Sequence, residues 1–277
     1  MNPLRDLPTL VSSPEFALML SLDLCAVSVI VRTLELLDRR SAFAPRGCLA
    51  WQLSAELSAV SPRWLSPLFG GGGVRAVLIA RLAAACGILV PGLTVSVPCV
   101  VIVAVTSLLM NFRMPLGQDG SDQMNVVILL PACIALMCND QLAKSAALFF
   151  IAAQASLAYS TSGIAKLISR VWRSGDALPQ VLSTSAYGNA RASRVLRTRP
   201  AVASVACWSV MLFETFFPLC VLAGPGGMLC VLAAGVVFHA SCAAVMGLNC
   251  FFWSFVATYP AIVFTSTRLH ASFRPTG

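Results

Sequence analysis

Charge is what this sequence lacks most. Only 11% of its 277 residues are Asp, Glu, Lys or Arg, against about 25% in soluble domains. Hydrophobic residues make up 58%, and the mean hydropathy is +0.83. Such a chain is not a water-soluble domain; it is expected to be an integral membrane protein. Histidine is nearly missing, with His239 and His270 alone, and no Cys-x-x-Cys occurs. That excludes a Cys/His zinc pattern, so no metal is expected. Eleven cysteines are present. Nine of them (Cys25, Cys86, Cys99, Cys133, Cys138, Cys207, Cys220, Cys230 and Cys242) fall within or beside apolar runs, where they behave as small hydrophobes rather than as a disulfide framework. The net charge of +8 does not imply nucleic acid, because the basic residues sit between apolar runs, where the positive-inside rule puts them. No basic stub followed by a brief apolar stretch marks a cleavable signal.

A spanning helix needs about 20 mostly apolar residues to cross about 30 Å of hydrocarbon. Runs at 15–37, 75–92, 94–112, 124–139, 145–166, 201–223, 227–248 and 250–266 are candidates. They are continuous, unlike the alternating segments of about ten residues in a barrel. The expectation is an all-α polytopic transmembrane bundle, one domain over 1–277, with about eight spans. Six or seven remain open, because some runs are short or parted only by Pro91-Gly92. Asp23, Arg32 and Glu35 interrupt the first run. The run therefore either faces the bundle interior, where Arg32 and Glu35 are spaced to pair on a helix, or is an amphipathic helix lying partly in the interface. Arg81 in the second run can snorkel or meet an acid such as Asp23. Gly70 to Gly73 read as a hinge, without the strand and Lys-Ser/Thr context of a phosphate loop. Arg170, Arg173, Arg191, Arg194, Arg197 and Arg199 crowd segment 167–200 against Asp176 alone, and Arg39, Arg40, Arg46 and Arg63 lie in 38–74. Eight spans put both segments on one side, the cytoplasmic one by the positive-inside rule.

Three polar groupings stand out, each with a plainer reading beside it. Lys166 ends a long apolar run. Burial disfavours an ammonium, and a neutral lysine can act as a general base near neutral pH; the plainer reading is a snorkelling lysine. Gly117-Gln118-Asp119-Gly120-Ser121-Asp122-Gln123 leads into the next helical run, where Asp and Ser suit an N-cap, or one carboxylate points into a polar cavity. Phe213-Glu214 and Phe238-His239 place ionisable groups inside spans, where they are costly and face the bundle interior. Glu214 can hydrogen-bond His239 and set its tautomer, or the two make a structural interhelical bond.

Tyr159-x-x-Ser-Gly-Ile-Ala-Lys166-Leu followed by Trp172-x-x-Gly175 resembles the signature of the horizontally transferred transmembrane (HTTM) domain family. That family includes the membrane part of vitamin K-dependent gamma-carboxylase and bacterial membrane proteins of the sporulation-delaying system. Phe213-Glu214-x-x-Phe217-Pro218 is similar to a second block of the family. Phe238-His239 with Met246-Gly247-Leu248-Asn249 and Ala257-Thr258-Tyr259-Pro260 is similar to a third. The blocks span roughly residues 110 to 262. The resemblance implies a bacterial, multi-pass cell-membrane protein. Lys166 would be the base toward a quinone or vitamin K-like molecule, His239 an acid/base partner and Glu214 its orienter, while Asp122, Gln123, Tyr159 and Trp172 would contact substrate.

Two departures from the carboxylase weigh against gamma-carboxylation of a protein. No imidazole stands near Asp122 and Gln123, and no extramembrane catalytic domain is expected. The alternative is a non-enzymatic maturation or export factor, or a transporter, for a secreted peptide precursor. The carboxylase works on the lumenal side, whereas the charge pattern here puts 167–200 in the cytoplasm.

Overall fold

The computed structural model describes residues 11–57, 66–90, 97–114 and 119–272. Arg63, Pro91-Gly92 and Gly117-Gln118 lie outside the described residues, as does the side chain of Arg40. The described residues are helical and contain no strand. Each of the eight apolar runs is a helix: α1 Pro14–Asp38, α2 Gly71–Ile88, α3 Val97–Arg113, α4 Gly120–Cys138, α5 Gln141–Ile168, α6 Pro200–Phe216, α7 Pro225–Met246, and α8, which is built of Asn249–Val256 and Tyr259–Ser272. Six of them (α1, α4, α5, α6 with its continuation to Val221, α7 and α8) are long and apolar enough to cross a membrane, and α3 is a shorter apolar helix. The protein is thus an all-α, multi-pass membrane protein.

Local chemistry sets the helix ends. Ser13 caps α1 ahead of Pro14. Asp119 accepts from Ser121 N at 2.8 Å to cap α4, as the sequence leads one to expect. Asp140 accepts from Leu142 N and Ala143 N to cap α5. Asn139, at φ 48°, makes the tight turn between α4 and α5, a conformation Asn tolerates. Gly70 is the N-cap of α2 rather than part of an extended hinge. A Cβ on Gly73 would come within 2.1 Å of the Pro67 carbonyl oxygen, so that glycine serves a close backbone approach.

Contacts at the helix ends give the course of the chain. Glu15 and Lys144, 3.5 Å apart, join the starts of α1 and α5. At the opposite end Asn249 Nδ2 reaches Glu35 at 3.4 Å, and Asn189 Nδ2 donates to Val245 O at 3.2 Å. The arginine-rich segment 167–200 therefore lies at the end where α1 and α7 finish, together with Arg39. The positive-inside rule assigns that end to the cytoplasm.

The first run is central rather than interfacial. Ala17, Leu18, Leu22, Cys25, Ala26 and Val29 of α1 are buried, against α2, α4, α5 and α8. Its arginine points inward. Arg32 makes a two-pronged ion pair with Asp122 of α4, Nη2 to Oδ2 at 2.7 Å and Nε to Oδ1 at 3.2 Å. Arg81 neither snorkels nor pairs with Asp23: it is 2% exposed, faces Asp122 and Arg32 electrostatically, and its Nε has no hydrogen-bond partner. By contrast α6 exposes Val202, Val205, Trp208, Leu212 and Phe216. Their three- and four-residue spacing makes an apolar stripe on one side of the helix, the side a bilayer covers.

Candidate functional site

The site begins with a close approach of α5 and α6. A Cβ on Gly163 would fall 2.4 Å from Thr215 N and 2.8 Å from Thr215 Cα, so the two backbones meet where only glycine fits. This contact sets Lys166, one turn along α5, opposite Glu214. Lys166 Nζ lies 2.6 Å from Glu214 Oε2 and 2.5 Å from Ser162 Oγ, one turn back on its own helix. Ser162 also bonds Glu214. The ammonium stands 5.3 Å from the centroid of the Trp172 ring, within the range of a cation–π contact. The lysine head is thus turned inward to partners, with its side chain 20% exposed and that of Glu214 8%. A snorkelling lysine would reach outward instead.

The pair forms part of the wall of a cavity of about 440 Å³. Apart from Lys166, Glu214 and Ser241, every lining residue is apolar, with Trp172, Phe238 and Phe251 supplying aromatic surface. The cover comes from the chain just after α5. Gly175 has φ 87°, a conformation that only glycine adopts without strain. A Cβ there would meet Ser204 Cα at 2.8 Å. The chain turns at this point, and Leu178, Val181 and Leu182 come down over the cavity. The spacing Lys166, Trp172, Gly175 thereby acquires a physical account: cation, aromatic neighbour, turn.

Tyr159 and His239 lie behind this wall. Tyr159 Oη and His239 Nε2 share a 2.5 Å hydrogen bond, and Tyr159 Oη is 3.2 Å from Tyr259 Oη. Tyr159 stacks on Phe217 at 3.7 Å between centroids and His239 on Phe255 at 4.7 Å. Gly235 leaves the room that the Tyr259 hydroxyl fills. The expected Glu214–His239 bond is replaced: Glu214 binds Lys166, and Tyr159 holds the imidazole. Tyr159 is 2% exposed and does not line the cavity, so it supports the wall rather than contacting what the cavity holds. Tyr159→Phe leaves His239 Nε2 without its partner. A melt in detergent should show a loss of about 1–3 kcal/mol, with the Lys166–Glu214 pair kept. An unchanged melt would mean that the Tyr159–His239 bond does not hold the wall.

Asp122 and Gln123 are elsewhere. Asp122 holds Arg32, and Gln123 is exposed; neither lines the Lys166 cavity. Beside the Arg32–Asp122 pair, Asn125 Nδ2 donates to Ser28 Oγ at 3.1 Å and Ser28 Oγ to Cys250 O at 3.2 Å, which ties α1, α4 and α8 together. A second, polar cavity of about 500 Å³ opens there, with Arg32, Glu35, Asp38, Arg39 and Asp119 on its walls, and Met246 and Leu248 line both cavities. Phe251 carries part of the geometry that the sequence did not single out, while Ser162 and Tyr259 stood in the quoted blocks without a role. The four-residue step from Ser162 to Lys166 on one helix was the signal available for Ser162.

These features define a class: an all-α, multi-pass membrane protein with an apolar cavity among its helices and a lysine–glutamate pair on the wall. Compared with protein-family models, curated proteins and solved structures, the chain has no match.

Proposed function

We propose that this chain is a bacterial cell-membrane protein of the HTTM family, and that its Lys166 cavity takes a small, flat, quinone-like molecule with Lys166 as the base. The observation that carries this reading is the single ion pair on the wall of an otherwise apolar, aromatic cavity. A cavity of about 440 Å³ is of the size that holds small molecules. Its lining suits a ring, and its one charged wall suits a ring hydroxyl. A peptide would need partners for its backbone groups, which this lining does not offer. The small molecule is therefore favoured over the secreted peptide.

The chemistry follows from the pair. In a cavity with few polar groups, a proton passing from Lys166 Nζ to Glu214 along their 2.6 Å bond leaves a neutral amine and a neutral acid. The amine accepts the proton of a hydroquinone hydroxyl placed against it, leaving the hydroquinone anion beside a regenerated ammonium. Ser162 aims the amine, Trp172 faces the resulting cation, and His239, through Tyr159, holds the wall. The test is reconstitution of the full chain in vesicles with a soluble naphthohydroquinone. Lys166→Ala should lower any hydroquinone-dependent rate by about 10²–10⁴-fold, the range for losing a general base, while the protein stays folded. Equal rates in wild type and variant would remove Lys166 from the chemistry.

A further inference from the structure

An open groove of about 590 Å³ is lined by the chain between Leu182 and Thr198 at the arginine-rich end, and the exposed Arg194 and Arg197 stand on its wall. The loop that makes it is held at every turn. Asn189 N donates to Leu182 O at 2.9 Å, and Asn189 Oδ1 accepts from Ala192 N at 3.1 Å to cap the short helix Ala190–Thr198. Ser193 Oγ, buried, donates to Pro179 O at 3.0 Å. Ser183 and Thr184 donate their hydroxyls to the carbonyls of Gln180 and Val181. A Cβ on Gly188 would approach Thr184 O to 2.1 Å, so the loop is drawn tight.

Against this fixed frame the cations are unanswered. No ion pair or hydrogen bond from the side chains of Arg191, Arg194, Arg197 or Arg199 reaches any described residue. The acid of this segment, Asp176, is bonded by Ser174 at 2.6 Å. The elements that carry these arginines also expose apolar side chains. Val195 on the short helix and Val202 and Val205 on the first turns of α6 are exposed, and the short helix packs on α6. Unpaired guanidiniums beside exposed aliphatic residues are the pattern of a surface that sits at the headgroup level of a bilayer.

We propose that this groove binds the phosphate of an anionic phospholipid from the adjoining leaflet. Arg194 and Arg197 hold the phosphate oxygens, as guanidinium forks do, the Ser185 hydroxyl donates to the headgroup, and the acyl chains lie along Val202 and Val205 of α6. This site shares Leu182 with the Lys166 cavity but does not depend on the reading proposed for that cavity.

The test uses the full chain in detergent, titrated with dioleoyl phosphatidylglycerol, dioleoyl phosphatidylcholine or inorganic phosphate, with bound lipid counted by native mass spectrometry. Wild type should bind phosphatidylglycerol in preference to phosphatidylcholine. Each basic residue near a membrane surface contributes about fivefold in affinity, so R194Q/R197Q should weaken phosphatidylglycerol binding by about 25-fold. R170Q/R173Q, which removes two exposed charges from the same end outside the groove, should leave it within about twofold. Equal losses in the two double variants would mean a diffuse basic field and no site. Displacement of the lipid by inorganic phosphate at matched concentration would mean a soluble phosphate ligand. Unchanged binding in R194Q/R197Q would place the lipid elsewhere. Each of these three results overturns the proposal.

Discussion

Asp122→Ala should destabilise the protein by about 3–5 kcal/mol, the cost of removing one partner of a buried ion pair. Here the cost is raised by a second cation. Arg32 is joined to Asp122 by two bonds, and Arg81, 2% exposed and with an unpartnered Nε, interacts electrostatically with the same carboxylate. Without Asp122, Arg32 loses both of these bonds and the buried Arg81 loses the carboxylate that offsets its charge. Asp122→Asn should cost nearly as much, since it keeps the shape and removes the charge. The double change Arg32→Met with Asp122→Leu should cost less than Asp122→Ala alone, because it removes the pair together with its desolvation penalty. Unfolding in mixed micelles measures all three. A loss below about 0.5 kcal/mol for Asp122→Ala, the usual size of a surface change, would mean that Asp122 does not carry the charge of Arg32 and Arg81.

Gly163→Ala comes second, and its effect joins stability to function. The added Cβ meets the backbone of Thr215 at 2.4 Å, and no rotamer change relieves a clash with backbone. Overpacking costs about 1–3 kcal/mol by itself. The shift it forces on α6 also pulls Glu214, the residue next to Thr215, away from Lys166. Two readouts are expected to move together: the melting temperature in detergent falls, and Lys166, held inward in the wild type, becomes more reactive toward an amine reagent. Gly72→Ala is the control. Nothing lies within 4 Å of a Cβ there, and alanine is the better helix former, so stability should hold or rise. A Gly163→Ala protein as stable as wild type, with Lys166 still protected, would mean that α5 and α6 do not meet at this glycine.

The six long apolar helices were legible because a run of apolar residues long enough to cross a bilayer has few other ways to satisfy its backbone. The cap at Asp119 was legible because capping is local chemistry between neighbours in sequence. That Lys166 calls for an explanation was legible from a charge at the end of an apolar helix. The partners were not. Glu214 had both Lys166 and His239 within the choices that spacing allows, and only the packing of α5 on α6 at Gly163 decides between them. Arg32 finds its carboxylate 90 residues away, while Glu35, one turn along α1, is an equally good match on helical spacing alone. The central place of α1 was one of two readings left open, because charges spaced along one side suit an interfacial helix and a buried ion-pair face alike. The cover over the cavity depends on the turn at Gly175, a matter of backbone angle that composition does not reveal.

The central claim is that the cavity beside Lys166 and Glu214 holds a quinone-like ring, and photolabelling with an azido-naphthoquinone tests it most directly without relying on turnover. The full chain in detergent is irradiated with the probe, digested and mapped. The account predicts labels on the peptides carrying Trp172, Phe238 or Phe251, displaced by excess unlabelled naphthoquinone. Val210→Trp, which fills the cavity from α6, should abolish them. Labels spread over the lipid-facing residues of α6, or labels that survive in Val210→Trp, would contradict it.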